Sequence, residues 1–186
     1  AYRIPILEVA GYEADDVIGT LATEAGRQGI ITYMMTPDKD YGQLVSDKVF
    51  MYRPKHTGGF EVMGVDEVKA KFDIQSPAQV IDMLGLMGDS SDNIPGCPGV
   101  GEKTAQKLIA EFGSIENLLE HTDQLKGALK TKVETNREMI TFSKFLATIK
   151  IDVPIQLDMD SLVREQADED SLRQIFEELE FRTLID

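Results

Sequence analysis

Seven acidic side chains stand in three short groups whose spacing could place them around metal ions. Several carboxylates in one crevice are unfavourable without compensation, because like charges raise one another's pKa values. Mg²⁺ prefers oxygen ligands and retains several waters, so a few carboxylates suffice for each ion. Two such ions form the usual clamp for cleaving a phosphodiester. The seven acids are Glu13, Asp15 and Asp16; Asp38 and Asp40; and Asp89 and Asp92.

The first two acidic groups each follow an apolar segment that is typical of a buried strand. These segments are "IPILEV" (4–9) and "IITYMM" (30–35), and a helix is predicted between them over residues 13–27. The order strand, helix, strand predicts a βαβ unit with parallel strands. Because the carboxyl ends of parallel strands open onto one crevice, we expect the first two groups to converge there. Asp89 and Asp92 could present their carboxylates from one turn near the same rim.

Each acidic group also has an ordinary structural interpretation. Acids in the first turn of a helix suit its dipole, which would account for the first group alone. Asp38 with Asp40, and Asp89 with Asp92, could be plain turn or cap residues. Capping does not readily explain acidic groups after two consecutive strands, so the combination favours a metal site.

A glycine-rich turn follows the third acidic group and leads into a helix that carries lysines. In "GCPGVGEKTAQKLI" (96–109), Gly99 and Gly101 would let the backbone approach a phosphate, and the helix would point its first amides at it. Lys103 and Lys107 are four residues apart and could meet further phosphates, without reading sequence. The alternative is an ordinary corner between helices with a solvated lysine face.

Charge is unevenly distributed along the chain, which has a formal net charge of −14. Residues 1–98 hold 8 basic and 15 acidic side chains, and residues 152–186 hold 3 and 11. Residues 99–151, the middle segment, hold 8 and 7. A nucleic acid would therefore meet the middle segment, and coating by the whole surface is disfavoured. The single cysteine, Cys97, excludes an internal disulfide and fits a reducing, cytosolic setting.

The predicted elements divide the chain into an α/β part and a helical part. A hairpin is predicted from "VFMYRP" (49–54) and "GFEVMG" (59–64), followed by helices in "VDEVKAKF" and "SPAQVIDMLGLMG". In the latter, Ser76 is a candidate N-cap and Pro77 the first helical residue. We expect an α/β domain with a mostly parallel sheet over residues 1–88, and a helical region over 89–186. Its helices are predicted at 101–111, 114–120, 124–147 and 168–180.

Three motifs resemble one known family. "GYEADDVIGTLA", "TPDKDYGQL" and "GDSSDNIPGCPGVGEKTAQKL" are similar to the 5′-nuclease domain of bacterial DNA polymerases I, in the flap endonuclease superfamily. The motifs stand in the family's order, and the resemblance extends to "FEELEFRTLI" near residue 185. It implies a PIN-like or resolvase-like fold, incomplete here, with a helix–three-turn–helix motif over about residues 89–112 that grips duplex DNA.

The resemblance also implies cofactors, partners and site residues. The family removes RNA primers and 5′ flaps with Mg²⁺ or Mn²⁺, and its metal ligands fall on the seven acids given above. A K⁺ ion held by turn carbonyls is a further expectation. The implied partners are DNA with a 5′ flap or nick, an RNA-primer junction and a covalently linked polymerase domain, in a monomer that is cytoplasmic and nucleoid-associated, without membrane contact. The DNA-binding residues would be Gly99, Gly101, Lys103, Thr104 and Lys107.

One departure from the family bears on activity. Family members carry a long segment before "IPILEV", with a central strand, further metal-binding aspartates and a basic arch. We therefore expect the chain alone to be inactive or weakly active. The alternative function is a non-catalytic DNA-binding helix–hairpin–helix module with structural acids. A metal-dependent phosphatase built on "DKD" is less favoured, because it leaves the glycine-rich turn unexplained.

Overall fold

A three-stranded sheet lies in the N-terminal half of the computed structural model, which describes residues 1–55 and 57–185. Strand β1 (Thr32–Met35) pairs in parallel with β2 (Val49–Pro54), and β2 pairs antiparallel with β3 (Phe60–Met63). The predicted hairpin is thus confirmed, although His56 in its loop lies outside the described residues. The α/β class is confirmed as well, with the parallel pair next to the crevice.

The predicted strand over residues 4–9 is wrong. The segment is not part of the sheet, and Ile4 and Ile6 are 66% and 89% exposed. An apolar segment becomes a strand only where a neighbour takes up its backbone hydrogen bonds, and the described residues offer it none. The parallel neighbour of β1 is instead β2, so the predicted βαβ unit does not form.

Helix α1 (Ala14–Arg27) forms where the spacing of its apolar residues predicted it. Its inner face buries Val17, Ala22 and Ala25. A 3₁₀ helix, Lys39–Leu44, begins four residues after β1, and the Asp38 carboxylate caps it by accepting a hydrogen bond from the Asp40 N–H at 3.0 Å. This short helix therefore turns Asp40 inward at the end of β1.

The remaining helices form most of the rest of the chain. Ser76 caps a 3₁₀ turn, Pro77–Gln79, and helix α3 (Val80–Met87) follows directly. The position of Ser76 before Pro77 in the sequence predicted this cap. No helix among the described residues is long and apolar enough to cross a membrane. The helices are α2 (Val65–Phe72), α3 (Val80–Met87), α4 (Glu102–Phe112), α5 (Ile115–Glu120), α6 (Gly127–Thr135), α7 (Arg137–Ala147), α8 (Glu169–Glu178) and α9 (Arg182–Ile185).

The prediction of one helix over residues 124–147 is wrong, because α6 and α7 are separate. Asn136 between them has φ −108° and ψ 21°, and its side-chain amide donates to the Lys132 carbonyl at 2.8 Å. Such a local bond from an asparagine side chain competes with the helical ladder. The break redirects α7 so that it packs on α3, where the added Cβ of an alanine at Gly85 would lie 3.1 Å from the Lys144 backbone.

One apolar cluster runs through both halves of the chain. It includes Met34 and Met51 of the sheet, Leu84 of α3, Ile109 of α4 and Ile140 of α7. Helix α3 packs on the 3₁₀ helix that follows β1 and on α4, α5 and α7, so the turn after α3 is held close to the end of β1. The boundary at residue 88 stays a prediction.

Candidate metal centre and nucleic-acid interface

Three of the seven predicted acids meet at the end of β1. Carboxylate oxygens of Asp40, Asp89 and Asp92 all lie within 4.8 Å of one another. Asp40 and Asp89 are buried, and Asp92 is exposed at the rim. Asp40 Oδ1 is buried and has no hydrogen-bond partner among the described residues. An unpaired buried carboxylate oxygen is costly, so this atom fits a position that a cation would satisfy.

The turn after α3 fixes the position of Asp89. The backbone groups of Asp89 and Ile94 exchange two hydrogen bonds, at 2.9 Å and 2.8 Å, which close the turn. The Ser91 N–H donates to Asp89 Oδ1 at 2.8 Å. Gly96 lies against Gly88, since a Cβ at Gly96 would stand 2.3 Å from the Gly88 nitrogen. Only glycine allows this approach, and the approach keeps the two arms of the turn together.

Lys39 lies between Asp38 and Asp40 in the sequence, and its side chain forms an ion pair with Asp89. Its Nζ is 2.5 Å from Asp89 Oδ2, and the Asp89 side chain is only 4% exposed. Although burial opposes it, the ion pair together with Asp40 and Asp38 raises the pKa of Lys39. The ammonium is therefore charged at neutral pH and partly offsets the carboxylate cluster.

Burial and mutual repulsion separate the pKa values of the three clustered acids. Burial, followed by the charges of Asp38, Asp89 and Asp92, raises the pKa of Asp40 to about 7. The pKa of Asp92 is also raised, by burial and by Asp89. The pKa of Asp89 shifts in the other direction. Although burial alone would raise it, the hydrogen bonds from Lys39 and Ser91 lower it. The cluster thus holds more negative charge than Lys39 compensates.

The first acidic group lies across the same crevice. Glu13, Asp15 and Asp16 line a cavity of about 250 Å³ together with Asp40 and Asp92. They are not part of the close group of three, and Asp38 does not line the cavity. The first acidic group and Asp40 therefore line the same cavity, as expected. A role as metal ligands stays a prediction for Glu13, Asp15, Asp16 and Asp38.

Backbone and phenol donors hold two acids of the first group. Tyr41 donates its hydroxyl to Asp15 Oδ1 at 2.7 Å, and the Lys150 N–H donates to Asp16 Oδ1 at 2.9 Å. Glu13 is exposed. Asp15 and Asp16 thus have fixed orientations at the crevice, each with carboxylate oxygen that can still accept a ligand.

Gln43 is a residue of the site that the sequence did not indicate. Its amide donates to the carbonyls of Asp40 at 3.0 Å and Ala147 at 2.9 Å, and its oxygen accepts from the Ile149 N–H at 2.9 Å. The crevice wall formed by residues 146–149 is tied in this way to the 3₁₀ helix. The partners of Gln43 in that wall are more than a hundred positions away, so local spacing carries no signal for them.

The glycine-rich turn projects from the far side of the same loop. Gly99 has φ +78° and Gly101 is the extended residue before α4. A Cβ at Gly101 would meet nothing within 4 Å, so space in front of the helix start is open. Lys103 and Lys107 are exposed on α4, opposite its buried face of Ala105, Leu108, Ile109 and Phe112, and Thr104 is half-buried.

The fold is shared with solved 5′ nucleases. A structure of T5 5′-exonuclease with bound zinc aligns with a TM-score of 0.67 and 24% identity over 77% of this chain and 52% of that one. The catalytic core of Rad2 aligns with a TM-score of 0.57 and 18% identity over 94% of this chain and 63% of that one. Identities this low establish the fold alone, which this chain shares with both structures.

The sequence establishes the family. Residues 1–73 match the model of the 5′-3′ exonuclease N-terminal resolvase-like domain, and residues 75–170 match that of the 5′-3′ exonuclease C-terminal SAM fold. The chain belongs to the 5′-3′ exonuclease family. It is 42% identical to DNA polymerase I of Bacillus caldotenax and 44% identical to that of Bacillus subtilis, covering 100% of this chain and 21% of each relative.

Proposed function

We propose that the chain is the metal-dependent 5′-nuclease part of a DNA polymerase I. It would cleave phosphodiesters at 5′ ends, at 5′ flaps and at RNA primers in replication and repair. The observation that carries this proposal is the buried Oδ1 of Asp40, which lies beside Asp89 and Asp92 and has no hydrogen-bond partner in the described part of the chain. Acids with a purely structural role would be paired, so this atom counts against a non-catalytic DNA-binding module.

The donor set suits Mg²⁺ or Mn²⁺, because it consists of carboxylates only. Asp40, Asp89 and Asp92 would hold one ion, and the acids on the opposite wall, together with Asp38, would complete a two-ion site. Bound ions supply activation of a water and stabilisation of the leaving oxygen. The chain's own contribution is to orient the carboxylates through Tyr41, Gln43 and the Lys150 amide.

The glycine-rich turn and α4 would bind the duplex next to the cut. Gly99 and Gly101 would let the backbone approach a phosphate at the start of α4, and Lys103 and Lys107 would meet further phosphates. Thr104 would contribute its side chain, because its N–H already donates to the Gly101 carbonyl at 3.0 Å. K⁺ at the turn is part of the proposal, with one restriction. Lys132 Nζ already donates to the Gly99 carbonyl at 3.3 Å, so that carbonyl fits K⁺ only if the ammonium moves away.

The remaining partners follow from the family and the charge distribution. The middle segment is the part of the chain where acids do not dominate, which supports a DNA footprint limited to residues 99–151. We propose a linked polymerase domain, a monomeric state and a nucleoid-associated location. The division into residues 1–88, with the metal site, and 89–186, with the DNA grip, belongs to the same proposal.

A cleavage assay tests the function in the natural gene product that contains these residues. With Mg²⁺, it should cut a labelled 5′-flap DNA, and Asp40→Asn should abolish cutting while duplex binding is retained. Lys103→Ala combined with Lys107→Ala should instead weaken binding and reduce its salt dependence. Undiminished cleavage by Asp40→Asn would refute the proposed site. Binding without any cleavage by the wild type would favour the DNA-binding module.

A further inference from the structure

Lys39 brings a positive charge into the carboxylate cluster itself. Its Nζ lies 2.5 Å from Asp89 Oδ2, and the acceptor side chain is 4% exposed whereas the lysine side chain is 36% exposed. The other oxygen of Asp89 accepts the Ser91 N–H at 2.8 Å. Both oxygens of Asp89 are therefore engaged, one by a backbone group that cannot leave and one by a flexible side chain that can.

A divalent cation at the cluster would lie very near this ammonium. The ligand oxygens of Asp40, Asp89 and Asp92 are within 4.8 Å of one another, so an ion among them is a close neighbour of Lys39 Nζ. Like charges at such a distance in a partly buried site repel strongly. The ion and the Lys39 ammonium therefore compete for the same carboxylate.

We propose that Lys39 is an internal counter-cation that occupies the Asp89 side of the cluster until a divalent cation displaces it. The inference rests on the proposed metal site and adds a residue that determines metal affinity there. Lys39 stabilises the cluster when no metal is bound, because it neutralises part of the repulsion among the three aspartates. The same ion pair weakens metal binding, since it must be broken first.

An ordinary surface ion pair would have neither effect. Exposed pairs contribute little to stability and are screened by salt. The pair of Lys39 with Asp89 differs, because the carboxylate is buried and faces two further carboxylates. Lys130 on α6 provides the contrast, since its Nζ lies 3.9 Å from the partly exposed Glu134 and Lys130 does not line the crevice.

Calorimetric titration with Mn²⁺ tests the proposal in the wild type, Lys39→Met and Lys130→Met. Methionine keeps the length of the side chain and removes the charge. Lys39→Met should bind Mn²⁺ about tenfold or more tightly than the wild type, given the usual strength of a charge-assisted bond. Lys130→Met, which removes the same net charge outside the crevice, should change the affinity far less.

Thermal unfolding in EDTA supplies a second measurement. Lys39→Met should unfold at a lower temperature than Lys130→Met, and Mn²⁺ should restore more of the stability of Lys39→Met. Equal or weaker Mn²⁺ binding by Lys39→Met would overturn the inference while leaving the metal site intact. If the wild type bound no Mn²⁺, both the metal site and the inference would be refuted.

Discussion

The Tyr41 hydroxyl donates to Asp15 Oδ1 at 2.7 Å and joins the 3₁₀ helix after β1 to the first turn of α1. Tyr41 is 4% exposed, and burial together with this bond raises its pKa, so the phenol stays protonated and acts as the donor. The bond spans the crevice between two of the three acidic groups. This bond therefore helps to set their separation.

Removal of this hydroxyl should loosen the crevice. Tyr41→Phe leaves the Asp15 carboxylate without its phenolic donor and should lower the free energy of unfolding by about 1–3 kcal/mol. Urea denaturation followed by circular dichroism measures the change. Tyr33→Phe is the matched control, since Tyr33 is exposed on the sheet. An equal effect of the two substitutions would contradict a role for the Tyr41 bond.

The raised pKa of Asp40 predicts how stability depends on pH in EDTA. Its folded pKa of about 7 lies above the ordinary 3.8, so the folded protein binds the proton more tightly than the unfolded chain. The contribution is fully present below the ordinary value and is lost as pH rises through about 7. Urea denaturation between these limits should show stability falling with pH.

Asp40→Asn is the control for this pH dependence. The variant should lose most of this pH dependence and keep only a smaller slope from Asp92, whose pKa is also raised by burial and by Asp89, because the lowered pKa of Asp89 acts only at more acidic pH. Saturating Mg²⁺ should reverse the slope in the wild type, since the ion binds the ionised carboxylate. Identical slopes in both proteins would show that another group is responsible.

Two glycines of the turn should respond differently to alanine. Gly96 has φ +64°, and an added Cβ would stand 2.3 Å from the Gly88 backbone, so Gly96→Ala should destabilise the fold by more than about 3 kcal/mol. The Cβ that Gly101→Ala adds would meet open space, so the free energy of unfolding should stay within about 1 kcal/mol of the wild-type value.

The same two substitutions distinguish an effect on folding from an effect on DNA binding. If a phosphate approaches the start of α4, Gly101→Ala should weaken duplex binding in fluorescence anisotropy without loss of stability. Undisturbed binding by this variant would remove Gly101 from the interface.

A partly buried ion network should hold α3, α5 and α7 together. Lys144 Nζ lies 2.6 Å from Asp82 Oδ1 and 2.8 Å from Glu116 Oε2, and the Asp82 side chain is 6% exposed. Lys144→Met leaves the buried Asp82 carboxylate without its cation and should lower the free energy of unfolding by about 3 kcal/mol. Glu116→Gln, at an exposed carboxylate, should cost less than about 1 kcal/mol. Chemical denaturation of both variants checks this ranking.

Local patterns in the sequence were sufficient for much of the fold and part of the site. The apolar spacing predicted α1 and α4, the hairpin followed from two short strands, and Ser76 before Pro77 marked the turn into α3. The spacing of Asp38 with Asp40 and of Asp89 with Asp92 indicated the candidate centre. These features depend on residues within a few positions of one another, and local sequence patterns carry information over that range.

Long-range partners account for what the sequence did not predict. The segment over residues 4–9 has the composition of a strand, but a strand also needs a hydrogen-bonded neighbour, which composition does not reveal. The break at Asn136 depends on one side-chain bond within a helical pattern. The bonds of Gln43 to the crevice wall, and the choice of Asp89 as the partner of Lys39, arise only after the chain has folded.

Mn²⁺ binding by the wild type and by Asp40→Asn tests the metal centre most directly. Asp66→Asn is the control, because Asp66 is an exposed acid in the first turn of α2. The wild type and Asp66→Asn should give the same binding isotherm, whereas Asp40→Asn, like Asp38→Ala combined with Asp40→Ala, should lose the heat of binding. Identical Mn²⁺ uptake by Asp40→Asn and the wild type would contradict the assignment of the site.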